Sequence, residues 1–155
     1  MLFRSWINPR TCVIGCGIRV NREGAAQVGE VLKRQGVDLI VIDLVGYDIH
    51  IDGSFQMVDR DLALVDPFGL PYSFLEKLKE LKVRTIEITP ADNKWIINSL
   101  AVAPGELIMP EGATNRTLDL MASHGLTWTI LPYDRMQLNG GGIHCSTTPL
   151  IRDPV

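Results

Sequence analysis

Two short stretches hold most of the side chains that could do chemistry. The first is His50-Ile51-Asp52-Gly53-Ser54-Phe55. In an extended segment, residues two apart face the same way about 6.6 Å from one another. The His50 imidazole and the Asp52 carboxylate would then address one space, and a single small molecule could touch both. The same pair also suits a turn leading into Gly53. The second stretch is Asn139-Gly140-Gly141-Gly142-Ile143-His144-Cys145-Ser146-Thr147-Thr148-Pro149. Glycines let a backbone come close to a ligand, and Gly141 and Gly142 lead into a thiol followed by hydroxyls. Cys145 is placed as a nucleophile would be, the alternative being a glycine-rich turn with an incidental cysteine. In an extended segment His144 points away from Cys145, so the base for the thiol is expected from elsewhere, with His50 the supplier. His124, just before Gly125, reads as a partner for a helix C-terminus.

Both stretches fall between regular elements. Cys12 to Ile18 reads as a strand, Asn21 caps a helix running to Arg34 and stopped by Gly36, and Val37 to Leu44 is a buried strand. The pattern recurs as Leu62–Val65, a helix over Ser73 to Leu81 with Phe74, Leu75, Leu78 and Leu81 on one face, and Val83–Ile88. It recurs again as Glu106–Met109, a helix over Asn115 to Ser123, and Thr127–Leu131. A period of about 45 residues predicts an α/β chain of three similar modules, with an ordinary three-layer βαβ sandwich as the alternative. The segments Val45 to Asp59, Thr89 to Ser99 and Pro132 to Arg152 lie outside the repeat, and loops on a rigid scaffold are where function concentrates.

Composition narrows the class. The chain has 155 residues, 46% hydrophobic and 21% charged, which predicts a single folded domain rather than disorder. A net charge of −3 offers no basic excess, so nucleic acid is not an expected partner. No apolar run approaches the roughly 20 residues that span a bilayer, so no membrane partner is expected. The N-terminus lacks the pattern of a secretory signal, and the expected location is cytoplasmic. Three cysteines leave at least one outside any disulfide. Cys12 and Cys16 read as core thiols rather than metal ligands.

Taken together, three blocks carry a family resemblance. They are Gly17-Ile-Arg-Val-Asn-Arg-Glu-Gly24, His50-Ile-Asp-Gly-Ser-Phe-Gln-Met-Val-Asp-Arg-Asp61, and Gly140-Gly-Gly-Ile-His-Cys-Ser-Thr-Thr-Pro-Leu-Ile-Arg152. From Trp6 onward the chain resembles the C-terminal part of the guanidino-group-modifying enzymes: arginine deiminase, amidinotransferases, agmatine deiminase and dimethylarginine hydrolase. The resemblance implies an α/β propeller of five ββαβ modules. About three are represented here, near residues 6–50, 51–95 and 96–155 of one domain. It further implies Cys145 as nucleophile, His50 as general acid/base, and Asp52 as the carboxylate that grips a guanidinium. Arg19 matches a position that holds a substrate carboxylate, though an exposed arginine approaching a helix reads the same way. Gly141 and Gly142 would line the substrate. An arginine-like guanidine is the implied small-molecule partner, with no cofactor and no metal.

Full-length members also carry, upstream, a further Asp and a Glu within a Glu-Gly-Gly-Asp-like segment, and this sequence contains neither. Three expectations follow. The chain works with a complementary N-terminal half, or it self-associates, most simply as a homodimer, or it is a non-catalytic binding module derived from such an enzyme.

Overall fold

The computed structural model describes residues 4–148. The Pro149-Leu150-Ile151-Arg152 ending of the third matched block lies outside the described residues. Three repeats build the chain, each a three-stranded mixed sheet with one helix. Unit one holds β1 (Arg4–Asn8), β2 (Thr11–Cys16), α1 (Arg22–Arg34) and β3 (Asp38–Asp43). Unit two holds β4 (Phe55–Met57), β5 (Leu62–Val65), α2 (Tyr72–Glu80) and β6 (Arg84–Glu87). Unit three holds β7 (Leu100–Ala103), β8 (Glu106–Pro110), α3 (Asn115–Ser123) and β9 (Thr127–Leu131), and the short α4 (Asp134–Gln137) follows it. In each sheet the first strand pairs antiparallel with the second, and the second runs parallel to the third.

Local chemistry explains the helix limits. The Asn21 side chain accepts from Gly24 N at 2.8 Å, satisfying one of the donors that a helix start leaves open. Glu23 in the first turn of α1 and Lys33 and Arg34 in its last complement the helix dipole. The helices α1, α2 and α3 each end on a left-handed residue: Gly36 at φ 72°, Lys82 at φ 60° and Gly125 at φ 80°. Glycine adopts that conformation freely, whereas Lys82 adopts it at a cost.

The same hydrogen bonds mark equivalent positions in the three units. Asp38, Arg84 and Thr127 donate their N–H groups to the carbonyls of Arg10, Asp61 and Gly105. Val37, Val83 and Leu126 donate to Leu32, Leu78 and Met121. Strand alternation then gives the sheets of units one and two one face for their own helix and one for the following unit. Ile7, Val13 and Ile42 of unit one pack on Phe55, Val65, Phe74 and Leu78 of unit two. Leu62, Leu64, Ile86 and Ile88 of unit two pack on Leu107, Met109 and Met121 of unit three. Phe55 and Phe74 meet edge to face with centroids 5.2 Å apart. Cys12 and Cys16 are buried, as their apolar setting predicts.

Periodicity misses the opening strand of each sheet. Phe55–Met57 lies inside a stretch assigned to a loop, because three residues are too few to show alternation. The ββαβ pattern implied by the family resemblance includes these strands.

Candidate active site

The two chemistry-bearing stretches meet. Asp52 sits in a 3-10 turn, Ile51–Gly53, between unit one and β4. Its side chain is 2% exposed, so the carboxylate needs polar partners to offset the loss of water. Cys145 and His144 sit in a second 3-10 turn, His144–Ser146. One oxygen of Asp52 serves both: Oδ2 lies 2.9 Å from His144 Nδ1 and 3.6 Å from Cys145 Sγ. A carboxylate only accepts, so the imidazole nitrogen and the thiol are the donors.

Asn98 fixes this arrangement. Its side-chain NH2 donates to the Asp52 carbonyl at 3.0 Å, and its Oδ1 accepts from Cys145 N at 3.0 Å. Its own carbonyl accepts from His144 N at 2.9 Å. One amide residue, 1% exposed, therefore ties the Asp52 turn to the cysteine turn. Gly142 makes room for it, since a Cβ there would stand 2.5 Å from Asn98 Oδ1 and 2.6 Å from its Cβ. Gly141 lies against Cys145, where an added Cβ would stand 3.4 Å from the cysteine Cβ.

Burial pushes the Cys145 thiol above its ordinary range, and the Asp52 charge pushes it further. Hydrogen bonds from the Gly142 backbone and the Asn98 side chain work the other way without reversing the direction. The sulfur is thus a thiol pointed at a carboxylate.

His50 immediately precedes the Asp52 turn with extended backbone, φ −144° and ψ 146°, and is half-buried. The stretch is extended at His50 and coiled at Asp52, so the simple two-residue alternation does not describe it. Arg19 is exposed before α1 and lines a depression with Ile14, Gly17, Ile18, Asn21 and Val28, to which the Asp52–Cys145 cluster contributes no residue. His124 caps α3, with Nδ1 2.9 Å from the Leu120 carbonyl, as its position predicts.

Two members of the cluster escape sequence reasoning. His144 is expected to point away from Cys145, and the structure corrects this. The segment is a 3-10 turn, where neighbouring side chains do not alternate, so both reach the same oxygen. Asn98 lies in the loop Thr89 to Ser99 with no motif around it.

No protein-family model matches the chain. Solved structures do. SxtG, an amidinotransferase from Microseira wollei in the saxitoxin biosynthetic pathway, aligns with a TM-score of 0.78 at 15% identity over 94% of this chain and 46% of its own. The arginine dihydrolase ArgZ of the cyanobacterial ornithine–ammonia cycle, N-terminal domain bound to product, aligns at 0.79 and 16% identity over 92% of this chain and 52% of its own. DDAH from Pseudomonas aeruginosa, a cysteine-to-serine mutant complexed with citrulline, aligns at 0.72 and 21% identity over 88% and 50%. The chain has the fold of the guanidino-modifying enzymes. It spans about half the length of the chains it matches. Among the described residues no helix is long and apolar enough to cross a membrane.

Proposed function

We propose that Cys145 and Asp52 form the core of a site that modifies guanidines, with Cys145 as nucleophile and Asp52 as the group that holds the cation. The observation that carries the reading is the 3.6 Å approach of Cys145 Sγ to a buried carboxylate oxygen. A guanidinium is planar and always charged, and a carboxylate binds it through paired charge-assisted hydrogen bonds. Seated on Asp52, its electrophilic carbon would stand beside the sulfur.

The electrostatics give such a substrate a second task. A cation on Asp52 neutralises the charge that helps keep Cys145 protonated, which favours the thiolate when the substrate is present. The thiolate then attacks the guanidinium carbon to form a C–S bond. The C–N bond to ammonia or an amine breaks, and the leaving nitrogen takes a proton from a general acid, the role the family resemblance gives His50. Water attacks the resulting thiouronium, the same base accepts its proton, and the C–S bond breaks to release a ureido product. An amine in place of water gives amidino transfer. The 2.9 Å approach of His144 Nδ1 puts an imidazole at the carboxylate, and we assign it the task of orienting Asp52. Arg19 stays outside this set because it lines a separate depression.

The test is incubation with arginine, agmatine and methylated arginines, scoring ureido product and covalent mass added to Cys145, in wild type and in Cys145→Ala. Turnover or a Cys145 adduct that Cys145→Ala abolishes supports the proposal. If guanidines neither form an adduct nor change the alkylation rate of Cys145, the chain does not handle guanidines through this thiol.

A further inference from the structure

Seven residues, Asp48 to Ser54, carry both His50 and Asp52. A side-chain hydrogen bond closes this loop on itself. The Ser54 hydroxyl donates to Asp48 Oδ2 at 2.6 Å, so the two ends meet beside the turn that presents Asp52. Ser54 is fully buried, and its carbonyl accepts from Asp66 N at 2.9 Å, which anchors that end of the loop next to β5. Gly69 makes the space, since a Cβ there would collide with Ser54 Oγ and stand 2.9 Å from Asp48 Oδ2.

The other oxygen of Asp48 faces a cation. Lys94 Nζ donates to Asp48 Oδ1 at 2.8 Å and lies 4.0 Å from Asp66 Oδ2. The two acidic side chains are only 20% and 16% exposed, and among the described residues Lys94 makes the only ion pair of either. Lys94 comes from the segment that also supplies Asn98. Lys94 reaches Asp48 and Asn98 reaches Asp52 across the same 46 residues, so the segment grips the loop at two points four positions apart. The segment is itself fixed to unit three. Asp92 accepts from Thr114 N at 2.6 Å and from Thr117 Oγ1 at 2.9 Å, and Asn93 Nδ2 donates to the Glu111 carbonyl at 2.8 Å.

We propose that Lys94, Asp48 and Ser54 are positioning residues that set where the Asp52 carboxylate stands against Cys145. This deepens the proposed chemistry and rests on its reading of Asp52 and Cys145 as the working pair. Reacting groups have to be held within about 0.5 Å of their productive geometry, and the Asn98 bond fixes the Asp52 backbone at one atom. Lys94 is half-exposed, and an ion pair at the surface contributes little to global stability. Its effect is on where the loop sits. Without the ammonium, Asp48 and Asp66 would face the same space uncompensated, and their repulsion would loosen the loop.

The readout is the pH profile of Cys145 alkylation by iodoacetamide, which needs no guanidine, followed by mass spectrometry in Lys94→Met, Lys94→Arg and Ser54→Ala. Burial and then the Asp52 charge raise the Cys145 pKa, so a loosened Asp52 lets the midpoint of the profile fall. Lys94→Met also removes a positive charge, whose direct effect on a thiol is the opposite, to raise the midpoint. The sign therefore separates positioning from a direct field. The midpoint should fall by about half a pH unit, about a threefold larger thiolate fraction at a fixed pH below it, while the circular dichroism spectrum is kept. Ser54→Ala, which changes no charge, should move the midpoint the same way, and Lys94→Arg, which keeps the cation, should retain the wild-type profile. A Lys94→Met midpoint that is unchanged or higher overturns the proposal. So does a Ser54→Ala profile identical to wild type, or an arginine variant that behaves like the methionine one. Guanidine handling is read separately, by adduct formation in the wild type, and a negative result there leaves the midpoint shift intact.

Discussion

Replacing Asn98 by alanine tests whether the site depends on the amide that joins its two turns. The substitution removes the hydrogen bond to the Asp52 carbonyl and the one from Cys145 N, each 3.0 Å long. The Asp52 carbonyl lies in a residue 1% exposed, and leaving it without that partner costs about 1–3 kcal/mol. Cys145 is half-buried, so its N–H can recruit water and lose only about 0.5–1.5 kcal/mol. The expected loss is about 1.5–4.5 kcal/mol, partitioned between global stability and local undocking of the cysteine turn. Urea denaturation reads the first, and the alkylation rate of Cys145, followed by mass spectrometry to separate it from Cys12 and Cys16, reads the second. Asn98→Asp sharpens the test. It keeps an acceptor for Cys145 N but loses the donor to Asp52 and places a second carboxylate in the same buried space, so it should cost more than the alanine. An Asn98→Ala protein with unchanged midpoint and unchanged alkylation, or an aspartate variant milder than the alanine one, would refute the keystone role.

Further outcomes follow from other contacts. Gly142→Ala should disturb the same turn, because its Cβ would collide with Asn98. Faster alkylation of Cys145 is the expected result, and an unaltered rate would count against the steric argument. Burial alone would raise the carboxyl of Asp92, but hydrogen bonds from Thr89 N and Oγ1, Thr114 N and Thr117 Oγ1 bring it down to about 2. A depressed carboxylate contributes stability that is fully present above its unfolded value near 4 and is lost as pH falls through about 2. Stability should therefore drop by about 2 kcal/mol across that interval, and Asp92→Asn should remove that part of the slope in acid titrations. Phe74→Ala, in the core between units one and two, should cost about 3–5 kcal/mol by chemical denaturation. Lys82→Gly should stabilise by roughly 0.5–1 kcal/mol, since it relieves a left-handed backbone at φ 60°.

How much of this was legible in the sequence depends on the range over which each feature is decided. α3 and β9 are found at their predicted limits because a cap, a period and a stop residue lie within a dozen positions of one another. Asp52 and Cys145 were legible as types and as loop residues, and the fold that brings them together followed from the resemblance. Alternation misplaces His144 because it presumes a strand, whereas the 3-10 turn here is tied to Asn98, some 46 residues away. Asn98 itself could not be read, since its role is made wholly of bonds to residues distant in sequence, and an asparagine near a turn has many local uses.

Asn98 and His144 also change what the two motifs mean together. Read separately, His50-x-Asp52 suggests an acid/base pair and Gly-Gly-Gly-x-x-Cys a nucleophile loop. In the structure a single Asp52 oxygen is the meeting point, and the imidazole hydrogen-bonded to it is His144, at 2.9 Å. After burial, the charge on that carboxylate is the main influence that keeps the thiol protonated, and under the proposed chemistry the same oxygen is the atom that a guanidinium must claim. Substrate binding and thiol activation then become one event, because whatever cation engages Asp52 removes the charge that opposes ionisation of Cys145. This coupling would add to selectivity for cations, since a neutral analogue of the same shape would leave the Asp52 charge opposing ionisation of Cys145.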